Sequence, residues 1–467
     1  MNPARLAAEK LFHEANIALA DGQVAAAENH LRQALALQPD FAEAHANLGW
    51  VLEQRGDVEG AEHAYRQALC LNPQQAQMHL NLGALLADQR RNDEAEACYR
   101  HALEIDPASA AALSNLGALL ACQRRDDAAE QCYRTALALD PEHRSSHFNL
   151  SYLLLRAGRF AEGWQHFERR DWYAQFEGRF NCPRWRGESL AGKSILVGVE
   201  AGHGDMIQFC RYAQELKARG ARHVSLLCHN ALGRLLASAP GVDAVLPIDQ
   251  PIPDGGWDLW TPLLSIPCLC HTDAESIPAT LPYLHADEFQ IACWAERLSG
   301  VAAGTHLRVG LTWKGNPRFE NDAQRSLPSL ATLRALTDLP GVAFFSLQKG
   351  AGEHEAVSEP GIYDLAPYIH DFADTAAAIM NLDLVISVDT AVAHLAGALG
   401  KCCWVLLPDY KTDWRWLNAR SDSPWYPDVM LLFRQPSMAA WDPVVLQVRE
   451  ALATYLCEEG IRIGRKI

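Results

Sequence analysis

Pro39, Pro73, Pro107 and Pro141 stand 34 residues apart, and a period of that length admits very few folds. Other positions keep the same register. Leu48-Gly49, Leu82-Gly83 and Leu116-Gly117 are followed by Ala61, Ala95 and Ala129, then by Tyr65, Tyr99 and Tyr133, then by Ala68, Ala102 and Ala136. Each unit reads as two helices: small residues let the pair approach, a tyrosine fills the space between them, and proline, which lacks a backbone donor, closes the unit. A degenerate first unit runs to Pro39, and a fifth begins at Ser145 and leaves the pattern after Gly158. Such hairpins stack into an α-solenoid, because none can bury its apolar face alone.

The period and its signature positions resemble tetratricopeptide repeats over residues 1–165. The concave face of such a solenoid is built from the first helix of each pair and usually binds a peptide or protein. Asn47, Asn81, Asn115 and Asn149 recur there at the 34-residue step. An amide offers both a donor and an acceptor, so a column of them can pair with an extended chain of any sequence. The repeats of the eukaryotic O-GlcNAc transferase look similar at this position, and there the asparagines hold acceptor protein. The alternative is that each Asn bonds within the solenoid itself. The first unit has His13 at the equivalent place, so a ladder would start in the second.

At 467 residues the chain has room for about three domains, and 49% hydrophobic residues can fill several cores. Its 41 Lys and Arg against 57 Asp and Glu leave a net charge of −16, acidic on both sides of residue 170, which argues against nucleic acid as a partner. A few local donors can still bind a small anion. No basic start followed by an unbroken apolar core marks a signal peptide, and no apolar run approaches the roughly 18 residues that span a bilayer, so a cytoplasmic protein without a membrane span is expected. The 13 cysteines form no CxxC pair and read as small buried residues, with no metal site expected.

From Arg159 the text turns aromatic and arginine-rich, with Trp164, Trp172 and Trp185. Residues 166–192 are expected to form a packed junction, since indoles are costly to leave in water, although Trp and Arg also occur in sugar sites. From Lys193 onward, strand-length apolar runs alternate with helical patterns: SILVGVE, HVSLLCH, AVLPI and DLWTPLL, then RVGLTW, VAFFSLQ, DLVISV and CCWVLL. That alternation predicts two doubly wound, Rossmann-like α/β domains, 193–303 and 304–467, meeting near Gly304. A ligand cleft between them, at the carboxyl ends of the strands, follows from such a pairing.

Two turns carry candidate chemistry. The first strand leads into Glu200-Ala201-Gly202-His203-Gly204-Asp205, where Gly202 and Gly204 permit a tight turn and leave backbone donors open. Asp205 is either a functional carboxylate or a cap of the following helix, and His203 either a reactive group or an exposed loop residue. Near the end, the apolar run to Val388 is followed by Asp389-Thr390-Ala391-Val392-Ala393-His394 at a helix start. Small side chains and the helix dipole suit a diphosphate, against the plainer reading of a capped helix with a satisfied histidine.

GHGD with VDTAVAHLAGALG resembles the GT-B glycosyltransferases of the bacterial heptosyltransferase type, which carry a GD motif in the first loop and DTxxxH in the last. EGW, PRWRGE, IQFCRY, GLTWKGNP, SLQKG, DFADTAA, DWRW and DSPWYP are similar to repeat-fused bacterial glycosyltransferases, some of which modify flagellin, over nearly the whole chain. The resemblance implies a GT-B fold after the solenoid, with Asp205 as the general base and His203 as a second candidate. It places Arg325, Thr390, Ala391 and His394 on the donor phosphates, Gln348, Lys349, Asp371 and Asp374 near the nucleoside, and Lys314 and Asn316 near sugar or phosphate. Ala201, His203 and Lys314 depart from the residues usual at their places.

The expected activity is a metal-independent, inverting transfer, with no cofactor, from a nucleotide-sugar to a Ser or Thr of a protein docked on the repeats, flagellin among the acceptors. Two other readings stand beside it: a non-catalytic scaffold whose GT-B region binds a nucleotide, and a transferase acting on a saccharide or lipid. The indoles of Trp414, Trp416 and Trp425 would either stack on a sugar or pack at the hinge.

Overall fold

The computed structural model describes residues 3–170, 176–253, 255–301, 305–418 and 420–464. Trp172 and Gly304 lie outside them. The chain divides into two compact units, Met1–Leu153 and Leu154–Ile467.

The first unit is a run of helical hairpins: Pro3–Ala20 with Val24–Leu37, Ala42–Gln54 with Val58–Leu71, Ala76–Asp88 with Asn92–Ile105, and Ala110–Cys122 with Asp126–Leu139. The repeated Leu-Gly and Tyr positions explain the close pairing within them. A β-carbon on Gly49, Gly83 or Gly117 would lie 2.5, 2.6 or 2.7 Å from a ring carbon of Tyr65, Tyr99 or Tyr133, and all three tyrosines are buried. Glycine is therefore required by packing, and its helix-propensity cost is offset by the ring it admits.

Successive hairpins are tied by a ladder of ion pairs at the same step. Glu28 pairs with Arg32 and Arg55, Glu62 with Arg66 and Arg91, and Glu96 with Arg100 and Arg125. Partial burial pushes each of these carboxyls up, but two arginine partners outweigh it, and all three pKa values lie below the ordinary glutamate value. Another column is His45, His79 and His147, whose Nε2 atoms lie 2.9–3.1 Å from the carbonyls of Pro39, Pro73 and Pro141.

The second unit contains two all-parallel sheets. Strands β1 (Ser194–Gly198), β2 (His223–Cys228), β3 (Ala244–Pro247) and β4 (Leu259–Pro262) lie in the order β3-β2-β1-β4. Strands β5 (Leu307–Thr312), β6 (Val342–Ser346), β7 (Ile362–Asp364), β8 (Leu384–Val388), β9 (Cys403–Leu407) and β10 (Met430–Arg434) lie in the order β10-β9-β8-β5-β6-β7. Both orders reverse beside their first strand, so the sheets have switch points at β1/β4 and β5/β8. The unit is thus an α/β fold with two doubly wound sheets.

Two strands in it are absent from the sequence reading, β7 and β10. Both are edge strands with an exposed position, Tyr363 in one and Leu431 in the other; β7 is only three residues, Ile-Tyr-Asp, whereas β10 lies in the unbroken apolar run Val429–Phe433, which was available as a signal. Among the described residues, the indoles of the aromatic segment after Arg159, of DWRW and of DSPWYP are core. Trp164, Trp185, Trp414, Trp416 and Trp425 are each at most 1% exposed, and Trp164 packs edge-on against Trp414 at 5.2 Å while its Nε1 donates to the Thr272 carbonyl. Burial of this degree leaves none of these indole faces open to a sugar.

Candidate functional site

The turn after β1 and the turn after β8 meet. Helix His203–Phe209 starts at the first switch point and helix Ala391–Ala398 at the second, and a β-carbon on Gly204 would lie 2.8 Å from Cδ2 of His394 and 3.5 Å from Cα of Ala391. Only glycine permits the two helix starts to come so near. Ala201, just before, has φ +61°, a conformation that disfavours a residue with a β-carbon.

Asp205 sits in the third position of its helix, and its Oδ2 accepts the Gly202 N–H at 2.8 Å. Its Oδ1 is paired with Nη2 of Arg415. The helix-start reading of Asp205 thus describes a real bond, while its other oxygen is engaged by Arg415. Burial raises its pKa above the usual aspartate value, against the opposing pull of Arg415 and of the Gly202 N–H.

Arg415 joins the two halves. Its Nε donates to Oε1 of Gln208 at 2.7 Å, its Nη1 to Oδ1 and Oδ2 of Asp413 at 2.9 and 3.0 Å, and its side chain is 7% exposed. Gln208 is fully buried, and its Nε2 has no hydrogen-bond partner. A buried unpaired amide donor costs about 1–3 kcal/mol.

Asp389 stands at the end of β8, where burial and the nearby Asp413 carboxylate push it up to about 6 against the opposing charges of Arg325 and Arg415. Thr390 is the N-cap of the next helix but gives it no side-chain cap; its hydroxyl instead lies 2.9 Å from Oγ of Ser387. Ala391 opens the helix. His394 is buried, with Nδ1 2.8 Å from the Tyr426 hydroxyl and its ring stacked on Trp416 at 5.2 Å. Burial, reinforced by Arg415, Arg211 and Arg325, holds it well below the ordinary histidine value, so it is neutral near pH 7. Arg325 lies over the Phe319 ring at 4.4 Å with its Nε 3.2 Å from Asp322 Oδ1.

Other predicted residues are held in different ways. The Gln348 amide accepts from the Trp313 and Lys314 N–H groups and donates to the Lys314 and Lys349 carbonyls, clasping the ends of β5 and β6. Lys314 Nζ donates to the Pro328 carbonyl, Lys349 Nζ to the Ala366 carbonyl and to Glu353, and Asn316 Oδ1 accepts the Arg318 N–H. Asp371 caps helix Phe372–Met380, and it and Asp374 both accept from Arg234 Nη1. They stand at a helix start and not in a free loop. His203 packs between His229 at 4.8 Å and Phe372 at 5.2 Å, with its pKa lowered by burial and by His229.

The sequence reading missed Gln208, Arg211, Asp413, Arg415 and Tyr426 as site residues, although each lies in or beside the motifs IQFCRY, DWRW or DSPWYP. Arg211 is buried, donating to the Trp425 carbonyl at 2.7 Å and to the Tyr283 hydroxyl at 2.8 Å, with the Tyr426 ring 4.8 Å from its guanidinium carbon. A polar residue inside an aromatic motif was the available signal.

In the solenoid, Asn47, Asn81, Asn115 and Asn149 are all half-buried. Asn47 Nδ2 donates to Asn16 Oδ1 and Gln77 Nε2 donates to Asn81 Oδ1, both at 2.7 Å. Among the described residues no group of three or more His, Cys, Asp or Glu is arranged to hold a metal, and no helix is long and apolar enough to cross a membrane.

The first third of the chain is made of tetratricopeptide repeats: residues 12–76 and 114–171 match one model of that repeat and 74–142 another. A homologue that matches beyond the repeats is Protein FlbA of Caulobacter vibrioides, 27% identical over an alignment of 340 residues that covers 65% of this chain. The match spans 54% of that protein's length. Among solved structures, the chain is similar to pilF of Pseudomonas aeruginosa (21% identity, 46% of this chain and 87% of that one, TM-score 0.36). It is also similar to MamA of Desulfovibrio magneticus RS-1 (20%, 37% and 97%, 0.33).

Proposed function

We propose that the α/β unit is an inverting glycosyltransferase of GT-B type that uses a nucleotide-sugar, and that the repeats present its protein acceptor. The observation that carries this is the meeting of the two switch-point turns at Gly204 and His394, with a carboxylate on one side and an uncapped helix start between two arginines on the other. Asp205 takes the proton of a Ser or Thr hydroxyl, whose oxygen attacks the anomeric carbon as the bond to phosphate breaks. The leaving diphosphate gathers charge, which Arg325, the Ala391 helix start and the Thr390 hydroxyl stabilise. No step calls on a metal or a cofactor. His394, neutral, supplies a hydrogen-bonding imidazole without competing for the phosphate as a fixed charge.

The purified protein, given a panel of UDP-, GDP-, ADP-, CMP- and dTDP-sugars with flagellin as first acceptor, is expected to transfer or hydrolyse one of them. Asp205→Asn should abolish turnover and retain nucleotide binding. Tight nucleotide binding with no turnover by the unaltered chain would favour the scaffold reading, to which the pairing of Asp205 with Arg415 lends support. Transfer to a saccharide or lipid in preference to protein would leave the repeats a recruiting role only.

A further inference from the structure

We propose that Arg415 is a donor-gated switch, bound to Asp205 while the cleft is empty and drawn onto the diphosphate of the sugar donor when it is full. The inference rests on the nucleotide-sugar reading of the cleft and adds to it a residue and an order of events.

Three carboxylates, Asp205, Asp389 and Asp413, surround the cleft with two arginines, Arg325 and Arg415. Arg211, held by the Trp425 carbonyl and the Tyr283 hydroxyl, is a third cation near His394; with His394 neutral, three carboxylates then balance three arginines, so a diphosphate finds no net attraction unless a cation is released to it. Arg325 keeps its place over Phe319 beside Asp322. Arg415 is differently built. Its Nε is anchored on the buried Gln208, while Nη1 and Nη2 rest on Asp413 and Asp205, one from each half of the fold. A guanidinium anchored at Nε can turn its outer nitrogens from a carboxylate to a phosphate with little movement, because both accept paired N–H donors in the same plane. The Gln208 Nε2, buried and unpartnered beside it, is a further donor facing no protein acceptor.

The exchange has a chemical consequence. While Asp205 is paired with Arg415, its lone pairs are committed and it is a poor base; once the phosphate takes the guanidinium, the carboxylate is released next to the acceptor hydroxyl. Donor binding thus precedes activation of the acceptor, and the sugar is not exposed to a ready base before the nucleotide is seated.

The test measures binding of UDP, GDP, ADP, CDP and dTDP to the full chain by calorimetry. The nucleotide that binds is then titrated into D205N, D413N, R415Q and the R415Q/D205N double variant. Competition for one guanidinium predicts tighter binding in D205N and D413N, by about threefold to tenfold. It predicts weaker binding by about tenfold or more in R415Q, with no further effect of D205N in that background. Unchanged binding in both D205N and D413N, or an equal effect of D205N with and without Arg415, would overturn the switch while leaving the nucleotide reading intact. Failure of every diphosphate to bind the unaltered chain overturns the switch, and failure of CMP as well overturns the nucleotide reading with it. Because D205N and D413N are expected to gain affinity, misfolding cannot imitate the predicted result.

Discussion

Gly204 and His394 touch across the two halves of the α/β unit, so closely that a single methyl group on position 204 would lie 2.8 Å from the imidazole Cδ2. His394 has little freedom to withdraw, being held by the Tyr426 hydroxyl on one edge and stacked on Trp416. The spacing of the groups on the two turns is therefore set by this contact.

Gly204→Ala should separate the two turns and lower stability by about 1–3 kcal/mol, the usual cost of overpacking a well-filled site. Chemical denaturation followed by tryptophan fluorescence measures it. Gly233→Ala serves as the control, since a β-carbon there meets nothing within 4 Å and the backbone is already helical. That variant should be neutral or slightly stabilised.

Within the solenoid, Gly83→Ala should cost a similar amount, because the new methyl group would lie 2.6 Å from a ring carbon of Tyr99. Combining it with Tyr99→Leu should recover part of the loss. A full additive loss in the double variant would show that the ring is not what excludes the methyl group.

Acid should loosen the solenoid through its glutamate ladder. Glu28, Glu62 and Glu96 have pKa values lowered in the folded chain, so the unfolded chain binds protons more readily. Their contribution to stability is present above the ordinary glutamate pKa and is lost as pH falls through the lower folded values. Thermal melts between pH 7 and pH 3 should show a decline that is shallower in Glu62→Gln, which has already lost its titrating pair.

Nucleotide binding should tighten as pH falls from 7.5 to 5.5. Asp389, raised to about 6, is mostly ionised at the higher pH and mostly protonated at the lower, and its charge repels an anion at the Ala391 helix start. The groups around it are the Asp413 carboxylate, which adds to the repulsion, the Arg325 and Arg415 guanidiniums, which oppose it, and Trp416. Asp389→Asn should bind more tightly at pH 7.5 and lose the added pH dependence, the ligand's own titration being common to both proteins. Identical pH profiles would exclude Asp389 from the anion site.

Asn81→Ala with Asn115→Ala should weaken acceptor binding if the amide column meets an extended peptide. Asn47 and Asn81 already exchange hydrogen bonds with Asn16 and Gln77, so the column is partly engaged within the solenoid. An unaltered acceptor KM in the double variant would assign these residues to that internal role.

The sequence by itself determined what is periodic or local: the 34-residue hairpins, the buried strands, and the glycine-containing turns on which Gly204, Asp205 and Thr390 lie. Each follows from neighbours within a few residues or from a step repeated along the chain. Tertiary structure decided the partnerships. Asp205 and Arg415 are 210 residues apart, and no local pattern announces that one guanidinium will meet Gln208, Asp413 and Asp205 together. The same is true of Gln348, placed near the nucleoside by the resemblance and found clasping backbone groups just beyond β5 and β6, and of the indoles of DWRW, found in the core. Edge strand β7, at three residues, is too short to show an apolar run, while β10 carried one in Val429–Phe433 that local pattern alone does not assign to a particular sheet. Periodicity reports which face of an element is buried; it carries no information about which distant side chain that face will meet.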